Sequence, residues 1–271
     1  MSKFVQDYYN NHATQEWERF DNAECKIEFA STLYLIEKYF PKQGRVCDVG
    51  GGPGRYTIEL AKRGYHVTLF DISEEEINLA RTQLKQSKVN AQQLIVGDAR
   101  NLSRLVSGPF DAALLMGPMY HIIGTKDRIN ILGQLKNILK PNGIAIVAYL
   151  NSWGLMRTGI TDFPNWYKDI EKLHSMLQDK VFEGQALKGF TECYWSTPEI
   201  ALAEIKSAEF ELISYAGAEG FTGGMHELIE KLYVENPDAY ANVLEVAAET
   251  CELSQYRDTT DHLHFVVRKP L

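Results

Sequence analysis

The chain has 271 residues, of which 45% are hydrophobic, 24% are charged and 11% are aromatic. These proportions are typical of a globular protein and exclude disordered, collagen-like and disulfide-knot chains. The formal net charge of -8 disfavours duplex DNA or RNA as the main partner.

The N-terminus has no apolar run of the kind that marks a secretory signal, and no stretch reaches the roughly 20 apolar residues of a membrane span. The four cysteines include no CxxC pair. This pattern favours reduced thiols in the cytoplasm, with no membrane partner.

Short apolar runs alternate with helical patterns over the first 150 residues. The N-terminal forty residues are predicted to be helical. Strands are predicted at 45–49, 66–71, 93–98, 110–116 and 144–150. Helices are predicted at 57–63, from Ser73 onward and at 126–140. Because strand and helix alternate five times, the chain is predicted to have an α/β fold with a parallel sheet covered on both faces.

After residue 150 this rhythm breaks. The segment 151–195 is aromatic and irregular, and the sequence then predicts a helix at 198–208, a strand at 210–215, helices in 224–256 and a strand at 262–268. We expect one domain, 1–271. Its parts are a helical cap (1–40), a core (41–150), a lid insertion (151–197) and a C-terminal part (198–271) that contains the helical insertion 224–256.

A glycine-rich loop follows the first predicted strand and opens a helix. Its glycines are Gly50, Gly51, Gly52 and Gly54. Glycines at such a turn let the backbone approach a ligand without a Cβ in the way. The dinucleotide pattern GxGxxG requires a third glycine where this chain has Arg55 or Thr57, so a nicotinamide enzyme is disfavoured.

The spacing Asp48-x-Gly50-x-Gly52-x-Gly54 resembles motif I of the class I S-adenosylmethionine-dependent methyltransferases. The resemblance implies that the loop cradles the methionine and ribose parts of the cofactor. It also implies that Asp48 faces the cofactor's ammonium group, directly or through water. The alternative is a plain tight turn between a strand and a helix.

Two further strand ends agree with this family. Asp71 and Ile72 end the second strand, where the resemblance makes the Asp71 carboxylate an acceptor for both ribose hydroxyls; the alternative is a solvated acid. Asp98 and Ala99 follow the third strand. The resemblance makes Asp98 the acceptor for the adenine amino group, with Ala99 against the ring; the alternative is an aspartate that caps the following turn.

The segment from residue 110 to 121 is similar to the family's fourth motif and places Met116 and Gly117 beside the methionine moiety. The sequence Gly117-Pro118-Met119-Tyr120 departs from the [Asn/Asp]-Pro-Pro-[Tyr/Phe] of enzymes that methylate amino groups of bases or glutamine. This departure argues against methylation of a base amino group. The sequence Gly117-Pro118-Met119-Tyr120 looks more like that of bacterial methyltransferases of small molecules.

The resemblance implies a Rossmann-like, seven-stranded, mostly parallel sheet whose last strand is antiparallel. It also implies S-adenosyl-L-methionine as cofactor, S-adenosyl-L-homocysteine as product and in-line methyl transfer to a small molecule. Two alternatives remain open. One is a methyltransferase of protein or RNA, and the other is a protein that binds the cofactor without methyl transfer.

His121 is the candidate general base, because imidazole titrates in the useful range; alternatively it packs or caps the next helix. Tyr120 either donates a hydrogen bond to the substrate or only forms a wall of the pocket. Arg19 is a weaker candidate that either pairs with the cofactor's carboxylate or lies at the surface, and Tyr8, Tyr9 and Trp17 are weaker candidates for closing over the cofactor.

Aromatic residues cluster outside the predicted core. They include Trp17, Trp153, Trp166, Trp195, Phe163, Tyr167, Phe182, Phe190 and Tyr194. We expect a lid over an apolar or aromatic substrate, or else a small core within the insertion itself. His262 and His264 lie on one strand face without an evident third ligand, so no metal is expected. Glu74, Glu75 and Glu76 are interpreted as a solvated helix start.

Overall fold

Two helices precede the sheet. In the computed structural model, which describes residues 3–171, 173–174, 181–182 and 191–271, these are α1 (Lys3–Arg19) and α2 (Ala23–Tyr39). Asn22 begins α2, and its side chain accepts a hydrogen bond from the Cys25 backbone N–H. An asparagine at this position satisfies one of the free N–H groups of the first turn. The prediction of a helical N-terminal segment is confirmed.

The core alternates strands and helices as the sequence predicts. In chain order its elements are β1 (Arg45–Val49), α3 (Arg55–Lys62), β2 (His66–Asp71), α4 (Glu74–Gln86), β3 (Gln93–Val96), α5 (Leu102–Leu105), β4 (Phe110–Leu115), α6 (Thr125–Ile138) and β5 (Leu139–Asn151). Ser73 caps α4 as expected, since its side chain accepts a hydrogen bond from the Glu76 N–H.

The remaining elements complete the sheet and build its surroundings. They are α7 (Ser152–Asp162), β6 (Val181–Phe182), β7 (Cys193–Ser196), α8 (Pro198–Ser207), β8 (Glu211–Gly217), α9 (His226–Glu235), α10 (Pro237–Thr250), α11 (Ser254–Arg257) and β9 (His262–Arg268). The Phe182 side chain and all of Phe190, both predicted to belong to the lid, lie outside the described residues.

The main sheet has the order β3-β2-β1-β4-β5-β9-β8. The first five strands are parallel, and β9 runs antiparallel to both of its neighbours. The predicted α/β fold with a mostly parallel sheet and an antiparallel last strand is therefore confirmed. The predicted count of seven strands is too low, because β6 and β7, which the sequence did not predict, join the sheet beside β5.

The end of β5 extends beyond β4 and pairs with β7. Its residues Leu150 and Asn151 align with Trp195 and Ser196. This pairing places the insertion beyond the carboxyl end of β4, where open α/β sheets bind their ligands.

Both faces of the sheet are covered. On one face Val46, Leu114 and Ile146 pack with Leu35 of α2 and Leu60 of α3, and all five side chains are fully buried. The alternate strand residues face α6 and α8. Because both faces are closed, a ligand can reach the sheet only at the strand ends.

The helical insertion of the C-terminal part packs on the N-terminal cap. Ile229, Tyr240 and Ala247 of α9 and α10 form one cluster with Ala23 and Ile27 of α2. The insertion thus helps to enclose the strand ends. Among the described residues, no helix combines the length and the apolar character that crossing a membrane requires.

A buried ion pair fixes the loop that follows β4. Arg128 of α6 is fully buried and pairs with Glu204 of α8, with 2.6 Å between Arg128 Nη2 and Glu204 Oε1. Arg128 Nη1 also donates to the carbonyl oxygens of Ile122 and Ile123. These bonds hold the chain just after Tyr120, next to the predicted cofactor site.

Candidate active site

A cavity of about 460 Å³ lies at the carboxyl ends of the central strands. This volume is within the range of small-molecule and cofactor sites. Of the predicted site residues, the wall includes Gly50, Gly51, Gly52, Asp71, Ile72, Met116, Gly117, Tyr120 and His121. The glycine loop and the end of β4 form one side. Residues of α1, α2, α7, β7, α9 and the start of β9 form the other.

The glycine loop wraps over the end of β2. The Gly50 N–H donates to the Phe70 carbonyl at 2.8 Å, and the Gly52 N–H donates to Asp71 Oδ2 at 2.9 Å. Both glycines have positive φ angles, 74° and 52°. A Cβ at Gly50 would lie 2.5 Å from the Met116 carbonyl oxygen. The loop therefore requires glycine and presents bare backbone to the cavity.

Asp48 lies beneath the loop and is fully buried. Its Oδ2 accepts a 2.6 Å hydrogen bond from the Thr57 hydroxyl, whereas its Oδ1 has no partner among the described residues. Burial raises the pKa of Asp48 to about 6. Because Asp48 does not line the cavity, its predicted link to the ammonium group has to pass through the loop or a water molecule, and it stays a prediction.

Asp71 ends β2 and faces the cavity. Its two carboxylate oxygens accept the backbone N–H groups of Gly52 and Ser73, both at 2.9 Å. Burial raises the pKa of Asp71, and these backbone hydrogen bonds oppose that rise. Each oxygen retains a lone pair, so Asp71 can still accept from a ligand hydroxyl.

Besides Asp48, three further predicted cofactor residues do not line the cavity. Gly54 sits against Ala80 of α4 and lets α3 pack closely. Ala99 is buried in the core beside the sheet. Asp98 forms an ion pair with Arg100 at 2.6 Å, which lowers the pKa of Asp98 to about 2 although burial opposes this. The adenine contacts assigned to Asp98 and Ala99 stay predictions.

Helix α1 closes over the edge of the cavity through hydrogen bonds to the end of β2. The Gln6 side chain donates to the Ile72 carbonyl at 3.0 Å, and Asn10 Oδ1 accepts the Ser73 hydroxyl at 2.8 Å. A further anchor comes from the first residue of α3: the Arg55 guanidinium lies 3.6 Å from the centre of the Trp17 ring.

His121 is buried and held from both sides. Its Nδ1 lies 2.9 Å from the Glu192 carbonyl oxygen, and its Nε2 lies 2.7 Å from the Tyr9 hydroxyl. Since a carbonyl only accepts, Nδ1 carries the proton and Nε2 accepts from Tyr9. Burial lowers the pKa of His121 to about 4, so the ring is neutral at neutral pH.

The Tyr120 hydroxyl is close to the predicted methionine site. A Cβ added to Gly117 would lie 3.8 Å from it. No hydrogen-bond partner for this hydroxyl occurs within the described residues, and the side chain lines the cavity. Tyr120 is thus placed to contact a ligand.

The rest of the cavity has an apolar wall and an ionic wall. The apolar wall consists of Tyr120, Leu150, Leu155, Phe163 and Trp195. Two predicted lid aromatics, Phe163 and Trp195, therefore face the cavity. Trp153, by contrast, is 37% exposed and lies outside this wall.

Glu28 and His262 are the centre of the ionic wall. Glu28 lies 3.5 Å from Arg19, and His262 Nδ1 lies 2.7 Å from Glu219. Although burial opposes ionisation, His262 and Arg19 hold the pKa of Glu28 below its usual range. Burial likewise lowers the pKa of His262, but the carboxylates of Glu28 and Glu219 raise it to about 10. His262 thus belongs to the cavity wall.

A second histidine of the same wall, His226, contacts three carboxylates, of which those of Asp162 and Asp261 line the cavity. Its Nε2 lies 2.6 Å from Glu24 and 2.9 Å from Asp261, and its Nδ1 lies 3.5 Å from Asp162. Burial lowers the pKa of His226, but the hydrogen bonds to Asp261 and Glu24 raise it to about 11. Separations this short are typical of an imidazolium between carboxylates. Although Glu24, His226 and Asp261 lie close enough to hold a metal ion, the absence of a metal stays a prediction.

Comparison with known proteins identifies the family. Residues 46–143 match the family model described as a methyltransferase domain. The chain is 24% identical over 243 residues to the tRNA 5-carboxymethoxyuridine methyltransferase of Escherichia coli K12, covering 87% of this chain and 84% of that protein. The chain thus contains a class I S-adenosylmethionine-dependent methyltransferase domain.

Solved structures of methyltransferases share the fold. An S-adenosylmethionine-dependent methyltransferase from Thermotoga maritima superimposes with a TM-score of 0.61 at 16% identity, covering 98% of this chain and 99% of the other. The 1,6-didemethyltoxoflavin-N1-methyltransferase of Burkholderia thailandensis gives 0.58 at 16% identity, covering 99% and 88%. The relatives thus include enzymes named for tRNA and for small molecules, and the expected absence of a nucleic-acid partner is not supported by them.

The cavity fits the cofactor of this methyltransferase. The glycine loop lines the cavity without a side chain of its own, and Asp71 lines the cavity beside it. Asp48 and Glu76 each hold a buried carboxylate oxygen without a partner among the described residues. These groups match the polar ribose and ammonium parts of S-adenosylmethionine.

Two acidic residues of the cavity were missed by the sequence interpretation. Glu76 is 2% exposed and lines the cavity, so its interpretation as a solvated residue is wrong, whereas Glu74 and Glu75 are exposed. The signal was its position one turn before Ala80, on the buried face of α4. Glu28 gave a similar signal, since it interrupts the apolar face of α2.

Proposed function

We propose that this methyltransferase acts on a small molecule that has an apolar part and carries no net negative charge. The observation that carries the proposal is the two-sided cavity, in which aromatic side chains face a wall rich in carboxylates. An apolar surface favours burial of a ring or hydrocarbon part, and aromatic faces attract cations.

The charge of the ionic wall supports this acceptor class. The charged residues that line this wall are Arg19, His226 and His262 together with Glu16, Glu28, Asp162 and Asp261. Two further carboxylates that do not line the cavity, those of Glu24 and Glu219, bond to His226 and His262. Carboxylates outnumber cations in this set. A negative wall repels phosphate groups and attracts neutral or cationic molecules. tRNA, the substrate named for the E. coli relative, is therefore the second candidate. Labelling of tRNA is one of the outcomes that the test below distinguishes.

S-adenosylmethionine, when bound, supplies a methyl group activated by its sulfonium. The glycine loop and Asp71 hold the nucleoside and amino-acid parts, and Met116 and Gly117 border the methionine part. The apolar wall excludes water and aligns the acceptor, which is the main contribution that protein residues make to such a transfer.

Tyr9 and His121 handle the proton of the acceptor in this proposal. The Tyr9 oxygen accepts the proton from the acceptor atom while the Tyr9 proton moves to His121 Nε2. The Glu192 carbonyl keeps the His121 ring in the tautomer that can accept it. The Tyr120 hydroxyl donates a hydrogen bond to the acceptor. Neutral His121 is available for this step throughout the neutral pH range.

The proposal is tested with methyl-labelled S-adenosylmethionine and a cell extract separated into tRNA, protein and small-molecule fractions. We expect label in the small-molecule fraction. Label in the tRNA fraction overturns the proposal in favour of the second candidate, and label in protein overturns both. The Gly52→Val variant, whose side chain fills the cofactor's space, is the negative control.

A further inference from the structure

Glu76 is a buried carboxylate in the cavity wall that the proposed reaction does not use. It is 2% exposed, and neither of its carboxylate oxygens has a hydrogen-bond partner among the described residues. Its Oε2 lies 2.8 Å from the position that a Cβ on Gly52 would take. The carboxylate therefore lies against the part of the loop that approaches the ligand.

The surroundings of Glu76 are mostly anionic. Asp71 from β2 and Glu16 from α1 face it and raise its pKa, in addition to the larger effect of burial, and only Arg19 from α1 opposes them. A buried carboxylate without donors destabilises a folded protein. Such a group is retained at a site where a ligand provides the missing donors.

Asp71 and Glu76 differ in the hydrogen bonds that the protein already donates to their carboxylates. Both oxygens of Asp71 accept backbone N–H groups, which fixes the orientation of that carboxylate. Glu76 has received no donor and can turn toward a ligand. Two adjacent carboxylates, one on each side of the Gly52 backbone, match a pair of neighbouring hydroxyl donors.

We propose that Glu76 and Asp71 together form a two-carboxylate site for the vicinal diol of the cofactor's ribose, with Glu76 accepting one of the two hydroxyls. This assigns a binding role to a residue of α4 in addition to the acid at the end of β2. The inference concerns cofactor binding and does not depend on the acceptor.

The test compares Glu76→Met with Glu75→Met, an exposed glutamate of the same helical turn. Calorimetry measures binding of S-adenosylhomocysteine and of its 2′-deoxy and 3′-deoxy analogues. We expect Glu76→Met to weaken S-adenosylhomocysteine binding about three- to tenfold, the range for losing an ordinary hydrogen bond. Glu75→Met should bind as the unmodified protein does.

The analogues identify the contact. One of the two deoxy analogues should bind weakly to the unmodified protein, and Glu76→Met should bind that analogue and S-adenosylhomocysteine equally. If Glu76→Met binds each of the three ligands as tightly as the unmodified protein does, the proposal is overturned. A loss of affinity that is the same for all three ligands also overturns it, because such a loss indicates a structural effect.

Thermal unfolding of the ligand-free protein provides a second readout. Removal of a carboxylate that lacks donors should raise the melting temperature of Glu76→Met above that of Glu75→Met. A lower melting temperature indicates that Glu76 stabilises the fold and overturns the proposal. These measurements contain no methyl acceptor. A negative result therefore overturns the two-carboxylate site without bearing on the proposed small-molecule function.

Discussion

Gly52→Ala is the sharpest test of the glycine cradle. Gly52 has a φ of 52°, so an alanine there costs about 1 kcal/mol in backbone strain. The new Cβ lies 2.8 Å from Glu76 Oε2, and both Gly52 and Glu76 line the cavity. We expect S-adenosylhomocysteine to bind at least about tenfold more weakly, a loss of about 1.4 kcal/mol, as measured by calorimetry.

Gly64→Ala is the matched control. Gly64 also has a positive φ, 88°, but apart from its chain neighbours no atom of the described residues lies within 4 Å of the position that a Cβ would take there. It therefore carries a similar strain of about 1 kcal/mol without filling a site. Both variants should lower the melting temperature by about 2–4 °C, the expected shift for a domain of this size. Equal affinity of the two variants for S-adenosylhomocysteine would refute the steric reasoning.

Three further predictions follow from the contacts. Tyr9→Phe and His121→Ala should each lower turnover while S-adenosylhomocysteine affinity stays nearly intact; a fully active variant in a steady-state assay rejects the proton-transfer role. Arg128→Met should lower the free energy of unfolding in urea by about 3–5 kcal/mol, because it leaves the buried Glu204 carboxylate unpaired; a loss below about 1 kcal/mol contradicts this. The raised pKa of His226 stabilises the fold fully below pH 6.5, and this stabilisation is lost as pH rises toward 11. His226→Gln should therefore lower the melting temperature at pH 7 more than at pH 10, and an equal effect at both pH values argues against the ion pairs.

The sheet and the cofactor loop could be predicted because their signals are local. Each strand of the core is a short apolar run, and the turn after β1 needs glycine at fixed positions for steric reasons that the sequence displays directly. Asp71 could be predicted for the same reason, since the end of a parallel strand is a known ligand position in such sheets. These features depend on neighbours within a few residues.

The acceptor side of the cavity depends on contacts between distant segments. Glu24 of α2 meets His226 of α9, and Glu219 meets His262 at the start of β9. In the sequence, each of these residues is compatible with a solvated surface position. The packing of α9 and α10 on α2 brings Glu24 and His226 together.

This difference explains why the cofactor is easier to predict than the acceptor. The cofactor half is formed by consecutive strand ends of one sheet, so its chemistry is fixed by short motifs. The proposed acceptor half combines the N-terminal cap, the insertion after β5 and the C-terminal helices. We expect a change in any of them to alter its charge and shape without disturbing the sheet. Substitutions at Glu28, Asp162 or Trp195 should therefore alter acceptor selectivity while cofactor affinity stays nearly constant, which is the behaviour of a shared cofactor core with a variable acceptor wall.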